Sequence, residues 1–332
     1  MEEKQGPAWT AALNRRLEQL MPVLTPLGVA LGFILPRFFI VFRPFIPWIF
    51  AVMTLSGALK LKIRELGLAL RHPLPIILAL VSSHVIIPLV VFFLSGLVFP
   101  GDGDTVSGFV LLYAAPAAVS SFMWVTMYQG DKALALAMIL VATAVSPVVV
   151  PFTLSVLMGA RVVLDMRSMA LALVLMVVVP TIAGVGANEL SRGRAPRLLL
   201  PSLNPLAKFC LILVIAANAA AIVPHIRIDD RRLWIVAALG VFFAVMGHCV
   251  SWFAGLICRL DREKQVTVFF CSALRNISAA ATLAIEFLPQ SAALPALLGI
   301  VFQQTLAALM GRFFLGPGPD SRVDFHNPDH LS

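Results

Sequence analysis

Apolar residues come in long runs along this chain, and polar residues gather in the short gaps between them. Ten runs stand out: Met21–Leu35, Phe45–Leu61, Leu74–Phe99, Val106–Tyr128, Ala133–Met158, Met169–Ala187, Leu206–Val223, Leu233–Cys258, Val266–Leu288 and Ala292–Phe314. A helix of about 20 apolar residues crosses a ~30 Å hydrocarbon core. The pattern therefore predicts an all-α membrane protein with ten transmembrane helices. Five runs precede the polar stretch around Arg161, Asp165 and Arg167, and five follow it. An odd number in each half turns one half over relative to the other, the plan of two inverted five-helix repeats. The predicted division is a cytoplasmic N-terminal segment at 1–20, a ten-helix domain at 21–315 with repeats at about 21–158 and 169–314, and a disordered cytoplasmic tail at 316–332, where Pro and Asp replace the apolar pattern.

The fourth and ninth runs are both interrupted. The fourth carries Pro116, which has no backbone donor, followed by Ser120 and Ser121. The ninth carries Arg275 and Asn276 in the middle of its apolar stretch, among the small residues Ser272, Ala273, Ser278 and Ala279. Broken helices in corresponding places of two repeats point to a binding site, because freed backbone groups and small residues let a ligand approach.

Composition narrows the class further. Of 332 residues, 60% are hydrophobic and 13% charged, against about 25% charged in soluble domains. The formal charge of +8 does not point to nucleic acid, since the basic residues sit between apolar runs rather than on one face. Sixteen Lys and Arg fall in the termini and alternate loops, and seven on the other side, which predicts both termini in the cytoplasm and a multi-pass protein of the cytoplasmic (inner) membrane. Cys210, Cys249, Cys258 and Cys271 lie in or beside apolar runs without metal-like or redox spacing, and read as reduced thiols. No cleavable signal peptide is visible, since no A-x-A-like site follows the first run.

Arg275 is the residue with the most chemistry to explain. An arginine at mid-membrane costs about 2.5–3.5 kcal/mol on an insertion scale, so it faces protein or a water-filled cavity. It is either held by backbone carbonyls or a buried polar partner, or it is a cationic element of a substrate cavity. His84 is either a proton-relay group or a ring bonded to a backbone carbonyl. Gln303 and Gln304 line a cavity or bridge helices, and Asn218 is similar. His248 reads as packing, and Glu286, eleven residues beyond Arg275, as an interfacial carboxylate.

The stretch Pro116–Pro147, with its proline, serines, glycine turn and Ser146-Pro147, resembles the fourth and fifth segments of the bile acid:sodium symporter family. The stretch CSALRNISAAATLA at Cys271–Ala284 is similar to that family's ninth-segment signature. The resemblance implies alternating access, in which a rigid core with two crossed broken helices moves against a panel domain. It implies an organic anion as substrate, bile-acid-like or a small carboxylate or sulfonate. It also implies a sodium site built from oxygens of the crossed helices, and here the chain departs. Ser121 and Asn276 are kept, but Phe122, Ala135, Ile139, Cys271 and Arg275 stand where the resemblance implies oxygen ligands.

The expected function is a secondary transporter of an organic anion that is not sodium-coupled in the family's usual way. Ser120, Ser121, Phe122, Arg275, Asn276 and Ser278 are the expected substrate-binding residues, and His84 the candidate for proton coupling. The expected partners are the anion and the lipid bilayer, with no cofactor, no metal and no nucleic acid. Two other classes compete. An intramembrane enzyme needs clustered Asp, Glu or His at reaction depth, which the apolar runs do not offer. A non-transporting sensor or scaffold could keep a transporter fold without flux.

Overall fold

The computed structural model describes residues 8–64, 67, 73–159, 165–223 and 229–316. Among them the structure is all-helical, and no strand forms. The elements are α1 (Ala8–Ile34), α2 (Pro36–Ala58), α3 (Leu74–Val98), α4 (Gly103–Ala114), α5 (Ser121–Met127), α6 (Lys132–Met158), α7 (Met166–Leu190), α8 (Arg194–Ile222), α9 (Arg231–Ile257), α10 (Arg262–Ala273), α11 (Ile277–Phe287) and α12 (Ser291–Leu315). Seven of these, α2, α3, α6, α7, α8, α9 and α12, are long and apolar enough to cross a membrane. The fourth and ninth runs are each two helices, α4/α5 and α10/α11.

Several helices begin well before the apolar runs do. The run at Met21 is the later part of a helix already formed at Ala8, the first described residue, and the run at Leu206 belongs to a helix that starts at Arg194. A polar or amphipathic turn continues a helix without adding to its hydropathy, and Lys208 of α8 bonds the Asn14 carbonyl on α1 at 3.1 Å. The expected tail from 317 lies outside the described residues.

Helix starts are set by aspartates at the ends of the runs. Asp102, Asp131, Asp165, Asp230 and Asp261 each accept a backbone N–H of the first turn of α4, α6, α7, α9 and α10. Each satisfies an orphan donor and puts negative charge at the positive end of the helix. The Ser168 hydroxyl and N–H hold the Asp165 carboxyl below its ordinary range, and Lys264 does the same for Asp261. Prolines shape the interiors. Pro88 and Pro180 each follow a π-helical turn, Ser82–Ile86 in α3 and Val174–Val178 in α7. A proline offers no N–H to the carbonyl four residues back, and the turn before it widens.

Packing gathers the helices into two bodies that meet where α6 lies on α7. In one, α1 lies on α8 and α2 on α7, with α2 also touching α8. The crossings are close because glycine meets alanine: a Cβ on Gly32 would lie 2.3 Å from the Ala216 carbonyl oxygen, and one on Gly184 2.7 Å from the Ala58 Cβ. In the other body α3 packs on α4, α9 on α10 and α12, and α6 on α4 and α5. Its core includes the buried rings of Phe109, Phe243, Phe269 and Phe270.

Candidate functional site

The two interruptions meet at the centre of the second body. After α4 the chain turns extended at Ala115, and after α10 at Leu274. The two extended pieces pair antiparallel. Ala118 N–H donates to the Leu274 carbonyl at 3.0 Å, Asn276 N–H donates to the Pro116 carbonyl at 2.8 Å, and Ala117 lies opposite Arg275. Helix ends leave backbone groups without partners, and inside a membrane those groups must be satisfied by protein. Each break here does that for the other. Asn276 adds a cap to α11, its Oδ1 accepting from Ala279 N–H at 3.2 Å.

The adjacent glutamines of α12 serve one break each. Gln303 Oε1 accepts the Arg275 N–H at 3.1 Å. Gln304 Oε1 accepts Trp124 Nε1–H at 2.9 Å, and its Nε2 donates to Ser120 Oγ at 3.4 Å. Both glutamines are helix bridges, and Gln303 also lines the cavity beside Arg275.

Arg275 is 1% exposed and is the largest fully buried side chain among the described residues. Its NH1 points to the Ser272 carbonyl at 3.5 Å, in the last turn of α10, where the helix dipole is negative. Its NH2 lies 3.5 Å from His84 Nδ1, on the π turn of α3. Its Nε has no protein partner, and the residue borders a cavity of about 20 Å³. Tyr113, His248 and Gln303 share that cavity, which is large enough for about one water. The His248 ring is fixed by its Nδ1 contact to the Ala244 carbonyl at 2.8 Å. No carboxylate pairs with the guanidinium among the described residues.

The other expected residues are close in the fold but not joined to the guanidinium. Ser121 is buried, and its hydroxyl donates to the Ala118 carbonyl at 2.7 Å and lies 3.5 Å from Cys271 Sγ. Phe122 packs on Leu136, Leu140, Ile139 and Ala142. Ser278 lies in the first turn of α11, where its carbonyl accepts from Thr282 Oγ1 at 3.0 Å. The same Thr282 hydroxyl accepts from Asn218 of α8 at 3.3 Å. Glu286 is exposed.

Ala135, Ile139 and Cys271, expected where the resemblance implies oxygen ligands, lie in apolar clusters. Ala117, Ile139 and Ala142 form one buried cluster, and Ala135 and Cys271 belong to another. A cavity of about 10 Å³ on this side is bordered by Met138, Ala142, Leu80, Ser83 and Cys271. Sequence reasoning did not find the His84–Arg275 contact or Tyr113. The readable signals were the Gln303-Gln304 doublet within an apolar run and the Ser-Ser-His ahead of Pro88.

A family model described as Sodium Bile acid symporter family matches residues 46–226. A Bacillus subtilis protein named "Uncharacterized protein YbaS" is 40% identical over 301 residues, spanning 90% of this chain and 98% of that one. "Probable sodium/metabolite cotransporter BASS3, chloroplastic" of Oryza sativa subsp. japonica is 26% identical over 263 residues, 77% of this chain and 61% of its own length. "Uncharacterized sodium-dependent transporter YocS" of Bacillus subtilis is 22% identical over 290 residues, 86% of this chain and 87% of its own.

Proposed function

The chain belongs to the sodium bile acid symporter family and is a membrane transporter rather than an enzyme, and from that premise we propose that it carries an organic anion by alternating access with Arg275 in place of a bound sodium ion. The substrate is bile-acid-like or a small carboxylate or sulfonate. The observation that carries this reading is a buried guanidinium without a carboxylate partner at the meeting point of two helix breaks. A buried unpaired charge is expensive, and a guanidinium forms paired bonds to a carboxylate or sulfonate. Several relatives carry sodium in their names. In this chain the corresponding side chains of Phe122, Ala135 and Ile139 offer carbon, which cannot hold a hard cation.

The architecture behind the proposal is two inverted five-helix repeats, with α4/α5 and α10/α11 as crossed fourth and ninth spans. A constant step supports it. Pro36 to Arg194 and Ala117 to Arg275 are each 158 residues, while Leu74 to Arg231 is 157 and Lys132 to Ser291 is 159. Under the same step the hydrogen bond from Ala118 to Leu274 becomes the one from Asn276 to Pro116, and Ala58 becomes Ala216, the two alanines met by glycine. The body of α1, α2, α7 and α8 would be the panel and the other the moving core. Arg43 reaches the Ile285 carbonyl at 3.1 Å and Asn218 reaches Thr282 at 3.3 Å, bonds that would part if the bodies separate to admit the anion. Ser120, Ser121, Phe122, Asn276 and Ser278 would then surround the anion. The basic-residue distribution favours both termini in the cytoplasm. A cysteine introduced at Pro100 should label with an impermeant maleimide from outside and one at Arg194 should not; outside labelling of both refutes the orientation.

The test uses taurocholate and benzenesulfonate as probes. Arg275→Gln removes the charge, and Arg275→Lys keeps it without the planar fork. Charge-assisted bonds are worth roughly 1.5–3 kcal/mol, so Gln should weaken binding ~10- to 150-fold and Lys less. Unchanged affinity in a folded Arg275→Gln protein would return the arginine to a purely structural role.

A further inference from the structure

His84 stands on the π turn of α3, is 7% exposed, and lies with its Nδ1 3.5 Å from Arg275 NH2. A guanidinium can only donate, so Nδ1 is the acceptor and the neutral ring carries its hydrogen on Nε2. A second proton could go only to Nδ1. It would end the contact and set an imidazolium against the guanidinium.

The elements packed against α3 around this turn are α4, α6, α9 and α10. At this depth they bring Tyr113, His248, Cys271 and, between α10 and α11, Arg275. The basic residue of α6, Lys132, is at that helix's first position. None of these is a carboxylate, so no fixed negative charge among the described residues offsets a second positive one. An incoming carboxylate or sulfonate does. A proton alone would take the pair from one positive charge to two, while a proton with a monovalent anion leaves it at one.

We propose that His84 is the proton acceptor of the carrier, so that the anion moves together with one proton. The proposal rests on the anion reading of Arg275. A proton from the aqueous phase adds to Nδ1 as the anion reaches Arg275, and both leave on the other side, with nothing oxidised or reduced. Linkage is reciprocal: the anion raises the proton affinity of His84 by the factor by which the proton raises anion affinity.

Purified protein in liposomes tests this with taurocholate and benzenesulfonate, sulfonates that stay ionised so that any pH dependence belongs to the protein. Binding should weaken as pH rises across the interval in which His84 is protonated in the complex and neutral in the free carrier. At its steepest the change should approach tenfold per pH unit, the limit for one linked proton. A trapped pH dye should report one proton entering per anion. His84→Gln keeps an oxygen to accept from Arg275 but takes no proton; it should bind the probes with a flat pH profile and carry no protons. A flat profile in the wild type, or the wild-type slope in His84→Gln, overturns the proposal. If His84→Gln does not fold, the proton count on the wild type decides alone. Probe binding unchanged in Arg275→Gln faults the anion site and the coupling with it, whereas pH-flat binding that still needs Arg275 faults only the coupling.

Discussion

The two helix breaks share one main-chain geometry and almost no chemistry. At the first, Pro116 ends α4, and Ala115, Ala117 and Ala118 fill the gap beside a cavity of about 10 Å³ with mostly apolar walls. At the second, no proline is present. Leu274, Arg275 and Asn276 bridge α10 and α11, beside a cavity of about 20 Å³ that Tyr113, His248 and Gln303 border. Each break hands one N–H and one carbonyl to the other, and the exchange is the same from either side. The main-chain exchange is common to both breaks, and at the second Gln303 and the Asn276 cap satisfy further backbone N–H groups. The charge stands on one side only: Arg275 at the second break, Ala117 opposite it at the first.

The sharpest way to break this comparison is to put a charge on the apolar side. Ala117 is 4% exposed and packs with Ile139 and Ala142. Ala117→Arg buries a second guanidinium without a partner, at a cost of about 2.5–3.5 kcal/mol or more. Most of the monodisperse protein should disappear from size-exclusion profiles. Wild-type yield and melting temperature in Ala117→Arg would mean that this side is wetter than its apolar lining implies.

A smaller effect separates the breaks through α12. Gln303→Leu leaves the buried Arg275 N–H without its acceptor, which should cost about 1–3 kcal/mol. Gln304→Leu removes the bonds to the buried Trp124 and the half-buried Ser120, the second of them long at 3.4 Å, and should cost about 0.5–1.5 kcal/mol. Thermal unfolding in detergent ranks the two. The reverse order would show that the first break, not the second, depends on its glutamine.

Much of this was legible along the chain. Apolar runs located the long helices, and Pro116 and Arg275-Asn276 located the interruptions. Helix extents were less legible, because the turns between Ala8 and Met21 and from Arg194 are too polar to register as apolar runs yet belong to helices. The mutual pairing of the breaks is carried by backbone atoms, which every residue has, so no side chain announces it. The His84–Arg275 contact joins positions 191 apart through a π turn, and local periodicity does not report on such a pair. Gln303 and Gln304 were visible as polar residues in an apolar helix, but adjacent positions point in different directions on a helix. That is why one reaches each break.

The central claim is that Arg275 has taken over the place of a bound cation, and it is tested most directly by the sodium dependence of anion uptake. Proteoliposomes loaded against taurocholate, in sodium buffer or in choline buffer at the same ionic strength and pH, should show uptake that persists when sodium is replaced. A steep, saturable rise of uptake with sodium concentration, absent in choline, would contradict the account.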